Sequence, residues 1–218
     1  FRCNFIRKFR KIYFKFLVYC LIYVYATETF NCFIMYHCSY IEDELYGNIN
    51  LYDSENDIKK LLMVYNEVTT KINELSTEMK RDANGYLIID YSYNECKNAL
   101  INVSDSFPLL DGYYPNPKKI YYSNIMSEQY LSGIYFPFSM EANYNQLMYC
   151  SNYPSVICHE LSHLKGYIRE DEANFISFVA CINSNNDFIR YSGYLSVYYY
   201  LLNDIMEYGN DEIWNQML

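Results

Sequence analysis

Three side chains in this sequence have types and a spacing that could do chemistry together. They are His159, Glu160 and His163, in the run His159-Glu-Leu-Ser-His163. A helix turns once per roughly 3.6 residues, so two histidines four apart project from one face. Both imidazoles can then bind a single divalent ion, and the glutamate can reach a water on it. The five residues alone fit equally well a solvated amphipathic helix with two surface histidines. Their setting favours the metal. The chain has 3 His, two of them here, and a carboxylate-rich segment follows at once.

A zinc site of this class needs a third protein ligand. Gly166 is placed to end the first helix in a left-handed cap. The chain can then reverse into a second helix from Arg169 to about Ile182. Glu170 and Asn174 are four apart there and share a face. Glu170 is therefore the expected third ligand, and the Asn174 amide the group that holds a histidine ring. Ala173 is small enough to let the two helices approach closely. Glu172 is the rival ligand, on a face with Ile176 and Val179. Either glutamate could instead be part of a charged first turn that complements the helix dipole. A metzincin would have histidine at position 169, where this chain has Arg169. A glutamate-ligand site, the gluzincin type, is preferred.

Other elements must position these residues. Ile120-Tyr-Tyr122 and Gly133-Ile-Tyr-Phe-Pro-Phe138 read as strands. Pro137 limits the second to an edge or a strand end, and Met140 to Asn145 continues or pairs with it. An edge strand through Gly133, Ile134, Tyr135 and Phe136 could accept an extended substrate by backbone hydrogen bonding. A plain structural hairpin is the other reading. Pro154 suits the first turn of the histidine helix, with Ser151 or Asn152 as cap.

Upstream, Ile58, Leu61, Leu62, Tyr65, Val68, Ile72 and Leu75 recur at helical spacing. They predict a helix from Ser54 to about Lys80, with Ser54 as cap and Asp57 in a capping-box-like position. Asp82 to Gly85 reads as a turn, Tyr93 to Val103 as a shorter helix, and Pro108 to Pro117 as a loop. Downstream, Phe188 to about Met206 reads as a long tyrosine-rich helix, and Asp211 to Leu218 as a short helix at most. Arg190, Tyr191 and Tyr194 on the long helix could reach the site, and a phenol there could stabilise an oxyanion. Core packing is the ordinary role of each tyrosine. The 8 Cys form no CxxC pair, and Cys158 and Cys181 read as buried thiols on the two metal helices.

Residues 12–36 are the membrane candidate. About twenty residues span a bilayer. Ile12 to Met35 suffices if Lys15 snorkels and Glu28 sits near the outer interface. A cleaved signal peptide and a buried soluble helix are the competing readings; the first lacks a clear small-residue cleavage site. Residues 1–36 carry six Lys/Arg against one acid, Glu28, whereas residues 37–218 carry eleven against twenty-five. Arg2, Arg7, Lys8, Arg10 and Lys11 precede the span, so its N-terminal side is expected in the cytoplasm. Residues 1–36 are thus net +5 and residues 37–218 net -14, which together make the -9 of the chain, and the acidic remainder argues against a nucleic-acid partner. The chain begins at Phe1 rather than Met, as a fragment would.

Four segments occur in a family order. They are Gly133-Ile-Tyr-Phe-Pro-Phe-Ser-Met-Glu-Ala-Asn143, Cys158-His-Glu-Leu-Ser-His163, Gly166-Tyr-Ile-Arg-Glu-Asp-Glu-Ala-Asn-Phe175 and Arg190-Tyr-Ser-Gly-Tyr194. Together they resemble the motifs of the bacterial membrane family called domain of unknown function 3810, from the membrane segment to near the C-terminus. The resemblance implies several N-terminal membrane helices, of which this chain retains the last, before an extracytoplasmic gluzincin-like domain. It implies a metal and a reaction class but no substrate.

The fold expected is α+β and mainly helical. A membrane helix in residues 1–36 precedes an extracytoplasmic domain, 37–218, with a small sheet before the histidine helix. The function expected is membrane-anchored zinc metallopeptidase acting on a peptide or protein. His159, His163 and Glu170 would bind Zn2+, Glu160 would act as general base toward its water, and Tyr191 would assist the oxyanion. The alternative is a non-catalytic, zinc-stabilised module that binds peptides or envelope partners. An intramembrane protease is disfavoured, because Lys165 and Arg169-Glu-Asp-Glu172 place the motif in water.

Overall fold

The computed structural model describes residues 2–38, 41 and 54–217, except for the side chains of 2–5 and 54–56. Most of the linker at 37–53 and the Ser54 cap lie outside the described residues. A long N-terminal helix, α1 (Arg2–Glu28), runs through a π-helical turn (Thr29–Phe33) into a last short helical turn, α2 (Ile34–Tyr36). The π turn falls at a polar stretch of this apolar helix, Thr27, Glu28, Thr29 and Asn31. There Thr27 and Thr29 donate their hydroxyls to the carbonyls of Tyr23 and Tyr25, a back-bonding that bends helices. Residues 6–36 are long and apolar enough to cross a membrane.

The predicted upstream helix is α3 (Ser54–Glu78). Leu62, Tyr65, Val68 and Leu75 of its apolar stripe are buried, and it packs along α8 (Asp187–Tyr208). Leu62 and Tyr65 meet Ile205 and Ile213 in a satellite cluster. The helix α4 (Tyr93–Ile101) starts at a capping box between Ser92 and Glu95, which offsets two otherwise unpaired backbone donors. A 3-10 turn (Pro108–Leu110) and a short helix, α5 (Ser123–Glu128), are local structure that apolar periodicity did not signal.

The sheet has three strands in the order β1-β3-β2. The first, β1 (Lys118–Ile120), pairs parallel with β3 (Glu141–Asn145). It lies two residues earlier than the expected Ile120–Tyr122 strand, because Tyr121 and Tyr122 turn into α5. The second, β2 (Gly133–Phe136), pairs antiparallel with β3, Gly133 opposite Tyr144 and Phe136 opposite Glu141. It ends before Pro137 and forms an edge, as Pro137 required. Ala142 and Tyr144 of β3 point into the core against α6 (Tyr153–Leu164).

The main core gathers Leu100, Tyr144, Ile157, Leu161, Ile176 and Ile189 from α4, β3, α6, α7 (Glu170–Ile182) and α8. Gly193 of α8 lets it approach α7 closely, since a Cβ there would lie 2.5 Å from that of Cys181. Cys158 and Cys181 are fully buried thiols, as expected. A four-residue helix, α9 (Asp211–Trp214), closes the chain.

Candidate metal centre

The histidine helix α6 is fixed at both ends by groups outside it. Pro154 lies in its first turn, and Asn152 occupies the cap position but its side chain accepts from the Ser151 hydroxyl and makes no capping bond to the helix backbone. The capping role that sequence gave to Ser151 or Asn152 passes to Ser192 of α8, whose hydroxyl oxygen accepts the Ser155 N–H at 3.0 Å. Ser192 and Ser155 hydroxyls are 3.1 Å apart, and Ser177 of α7 donates to the Ser155 carbonyl at 2.6 Å. Three buried serines therefore join α6, α7 and α8 at one point.

At the other end Gly166 has φ +99, the left-handed conformation expected of a cap. Gly166 N–H bonds to His163 C=O and Tyr167 N–H to Ser162 C=O, at 3.0 and 3.3 Å, which is a Schellman closure. The turn carries the Tyr167 carbonyl back to His163 Nδ1, 2.8 Å away. A carbonyl only accepts, so Nδ1 bears the proton and Nε2 keeps its lone pair for a ligand bond.

The ligand atoms converge. His159 Nε2 and His163 Nε2 are 3.0 Å apart. Glu170 Oε2 is 3.1 Å from His159 Nε2, and Glu170 Oε1 is 3.6 Å from His163 Nε2. The three side chains form a group that can hold a metal ion. Two nitrogens and a carboxylate oxygen suit a borderline cation such as zinc. Both histidines are largely buried, while the Glu170 side chain is 78% exposed, so the centre opens to solvent on the α7 side.

Charge and burial divide the group. Burial pulls His159 down, but the Glu170 and Glu160 carboxylates and a hydrogen bond with Asn174 outweigh it, and its pKa rises. His163 is lowered by burial and by His159. Glu170 is held below the usual carboxylate range by its hydrogen bond with His159. Burial pushes Glu160 up to about 8, with Glu170 adding to the rise and His159 opposing it. Glu160 is 5% exposed, and its Oε2 has no hydrogen-bond partner among the described residues. Unpaired buried carboxylates are costly, so a nearby cation or substrate donor would relieve this atom.

The Glu160 carboxyl lies under the edge strand. A Cβ on Gly133 would come 2.2 Å from Glu160 Oε1. Gly133, Ile134 and Tyr135 line the cleft that holds the histidines, a cavity of about 1380 Å3. Phe136, the fourth residue of the expected binding strand, does not line it and packs instead on Phe138, ring centroids 5.2 Å apart. Tyr191 also lies outside the lining, because α8 turns Leu195, Ser196, Tyr199 and Tyr200 toward the cleft. The phenol beside the centre is Tyr135, whose ring centroid is 6.2 Å from that of His163.

The two candidate third ligands separate cleanly. Glu170 faces the histidines, whereas Glu172 Oε1 accepts the backbone N–H of Ile41 at 2.9 Å. Asn174 is on the Glu170 side, in the cleft and bonded to His159. Sequence reasoning missed the serine junction, for which single buried hydroxyls give no periodic signal. It also missed the Tyr167 carbonyl, although the cap at Gly166 implies a returning chain. It missed the docking of the N-terminal helix as well. Asn31 donates to the Pro137 carbonyl at 2.8 Å, Tyr23 donates to that of Phe138 at 3.3 Å, and a Cβ on Gly166 would sit 2.2 Å from Met35 Cε.

No curated protein and no solved structure matches the chain. A family model matches residues 1–218. The order of motifs, the apolar N-terminal helix and the full-length match agree, and the chain belongs to the family described as "Protein of unknown function (DUF3810)".

Proposed function

We propose that the protein is a membrane-anchored zinc metallopeptidase of gluzincin type, held by its N-terminal helix with the catalytic domain on the extracytoplasmic side. One observation carries the reading. Among the described residues, a buried glutamate with an unpaired oxygen stands beside a convergent His-His-Glu group and beneath a sheet edge that no strand covers. A site that only stabilised the fold would need the three ligands and not the fourth carboxyl.

When bound, zinc supplies Lewis acidity and lowers the pKa of a water. The chain's own residues do the rest. Tyr167 fixes the His163 tautomer, and Asn174 steadies His159. The outer edge of β2, unpaired among the described residues, aligns an extended peptide by backbone hydrogen bonds. Glu160 sits below that strand and carries a proton from the attacking water to the departing amine. Burial raises the proton affinity of this carboxyl above that of an ordinary glutamate, which suits a group that takes a proton from water and passes it on.

Replacing Glu160 by Gln tests this directly. The purified full chain should keep one zinc per molecule and lose hydrolysis of a peptide library by at least about 100-fold. Undiminished hydrolysis would remove Glu160 from the mechanism. Zinc binding without hydrolysis in the wild type would leave the non-catalytic binding module as the reading.

A further inference from the structure

The turn between β2 and β3 is bonded to the long apolar helix at two heights. The Tyr23 hydroxyl donates to the Phe138 carbonyl at 3.3 Å, and the Asn31 amide donates to that of Pro137 at 2.8 Å. The helix is long and apolar enough to cross a membrane between Ile6 and Tyr36, and a crossing takes about twenty residues. Every window of that length between 6 and 36 contains Tyr23. A bilayer placed anywhere along this helix therefore includes the Tyr23 position, and the Phe138 carbonyl lies within hydrogen-bond reach of its side chain. With Glu28 at the outer boundary, Tyr23 is about 8 Å inside it, at 1.5 Å per residue. Long helical side chains lean toward the helix N-terminus, the deeper direction here.

The tip suits such a depth in side chains and in backbone. Residues 129–140 contain no Asp, Glu, Lys, Arg or His, and Glu141, the first charge after them, is paired with Lys118 on β1. Gly133 and Tyr135 face the histidine helix, so strand alternation turns Ile134 and Phe136 the other way. Ile134, Phe136 and Met140 are exposed. Among the described residues, neither they nor Phe138 joins the main core or the satellite cluster. Backbone groups in hydrocarbon must find partners within the protein. The Phe136 carbonyl accepts the Ser139 N–H at 3.3 Å, and those of Pro137 and Phe138 accept from Asn31 and Tyr23. Pro137 has no N–H to satisfy. Two polar groups of an apolar helix are thus accounted for by two carbonyls of the tip.

We propose that the β2–β3 tip, residues 136–140, is a second membrane contact, inserted into the leaflet that faces the domain. Lipid, at the boundary of headgroups and acyl chains, covers Phe136, Phe138 and Met140. This rests on the membrane-anchored part of the proposed function and is independent of the peptidase chemistry. The depth follows from the two bonds to the helix and not from apolar surface alone. Further helices beside the span, as the family resemblance implies, would share that depth and would not lift the tip out of it. An insertion of about 8 Å is that of an interfacial element. Gly133 is three residues from Phe136, about 10 Å at 3.3 Å per residue, so the cleft of the metal centre opens close to the bilayer surface.

The test uses the full chain in nanodiscs of phosphatidylcholine whose acyl chains are brominated near the glycerol or near the methyl end. Trp214→Phe removes the single native tryptophan. One tryptophan is then placed at a time, as Phe138→Trp in the tip, Leu21→Trp in the helix or Tyr86→Trp on the domain. Tyr86 is exposed and adjoins Leu87, whose carbonyl meets Cys150 before the start of α6, whereas Met35 packs at Gly166 beyond its end. Bromine quenches tryptophan on contact, so lost emission reports lipid against the ring. Phe138→Trp should lose most of its emission, more with bromine near the glycerol end, while Tyr86→Trp keeps its own. Phe136→Trp repeats the measurement at a second tip position, and helical circular dichroism confirms that each variant is folded. Quenching of Leu21→Trp with full emission from both tip variants would overturn the proposal and leave the span standing. A second copy or another helix over the tip would give that result. If Leu21→Trp also emits in full, the membrane reading itself fails and the proposal falls with it.

Discussion

Glu170 and Glu172 are two positions apart, and a helix puts about 200° between them. One carboxylate meets His159 and His163, and the other accepts the Ile41 N–H. Their substitutions should separate accordingly. Glu170→Ala should weaken zinc by well over 100-fold, because it removes a ligand. Asn174→Ala should lose roughly 10–100-fold, as is typical of a group that orients a ligand. Glu172→Ala should leave zinc affinity unchanged and lower stability by about 1–3 kcal/mol, since it orphans a backbone donor. Competition titration and thermal unfolding of the three proteins check the order. Loss of zinc in Glu172→Ala alone would reverse the assignment. Which glutamate faces the histidines was legible in the sequence, because Asn174 lies four residues from Glu170 whereas Ile176 lies four from Glu172. The carbonyl partner of His163 was not, since backbone groups leave no mark on residue type.

At the scale of elements, the edge strand and the histidine helix are fitted to each other at one atom. Gly133 gives up its side chain where the Glu160 carboxyl must lie, so Gly133→Ala forces that carboxyl to move. We expect zinc content to be retained, stability to fall by about 1–3 kcal/mol, and hydrolysis to fall by at least about tenfold from misplacement of the base. Peptidase assays beside metal analysis check it. Full activity in Gly133→Ala would mean that Glu160 works from elsewhere. The sequence marked β2 as an edge through Pro137 and marked the long helices through their apolar spacing. It could not mark α5 or the parallel pairing of β1, because short segments carry too few residues to establish a period. Tyr191 and Phe136 were plausible by nearness along the chain. Both point away because a helix or strand sends neighbouring side chains to different faces.

For the whole molecule, charge and hydropathy agree. Six basic residues belong to the segment that carries the apolar helix, and twenty-five of the 26 acids follow it. A reporter active only in the cytoplasm, fused after Leu218, should be silent, and one active only outside should be bright. Strong cytoplasmic signal would invert the molecule. Composition made the long apolar helix legible. It did not reveal that this helix is docked, since Asn31, Met35 and Tyr23 find their partners more than a hundred residues away.

The meeting of Ser155, Ser177 and Ser192 has a thermodynamic consequence. It ties the two ligand-bearing helices together through groups that owe nothing to an ion. The centre is thus assembled by the fold, unlike small zinc modules in which binding and folding are one event. Calorimetric titration of the metal-stripped chain should therefore give a heat-capacity change near zero, because no apolar surface is newly buried. Its helical circular dichroism should match that of the loaded protein. A large negative heat-capacity change with gain of helix would show that zinc builds its own site.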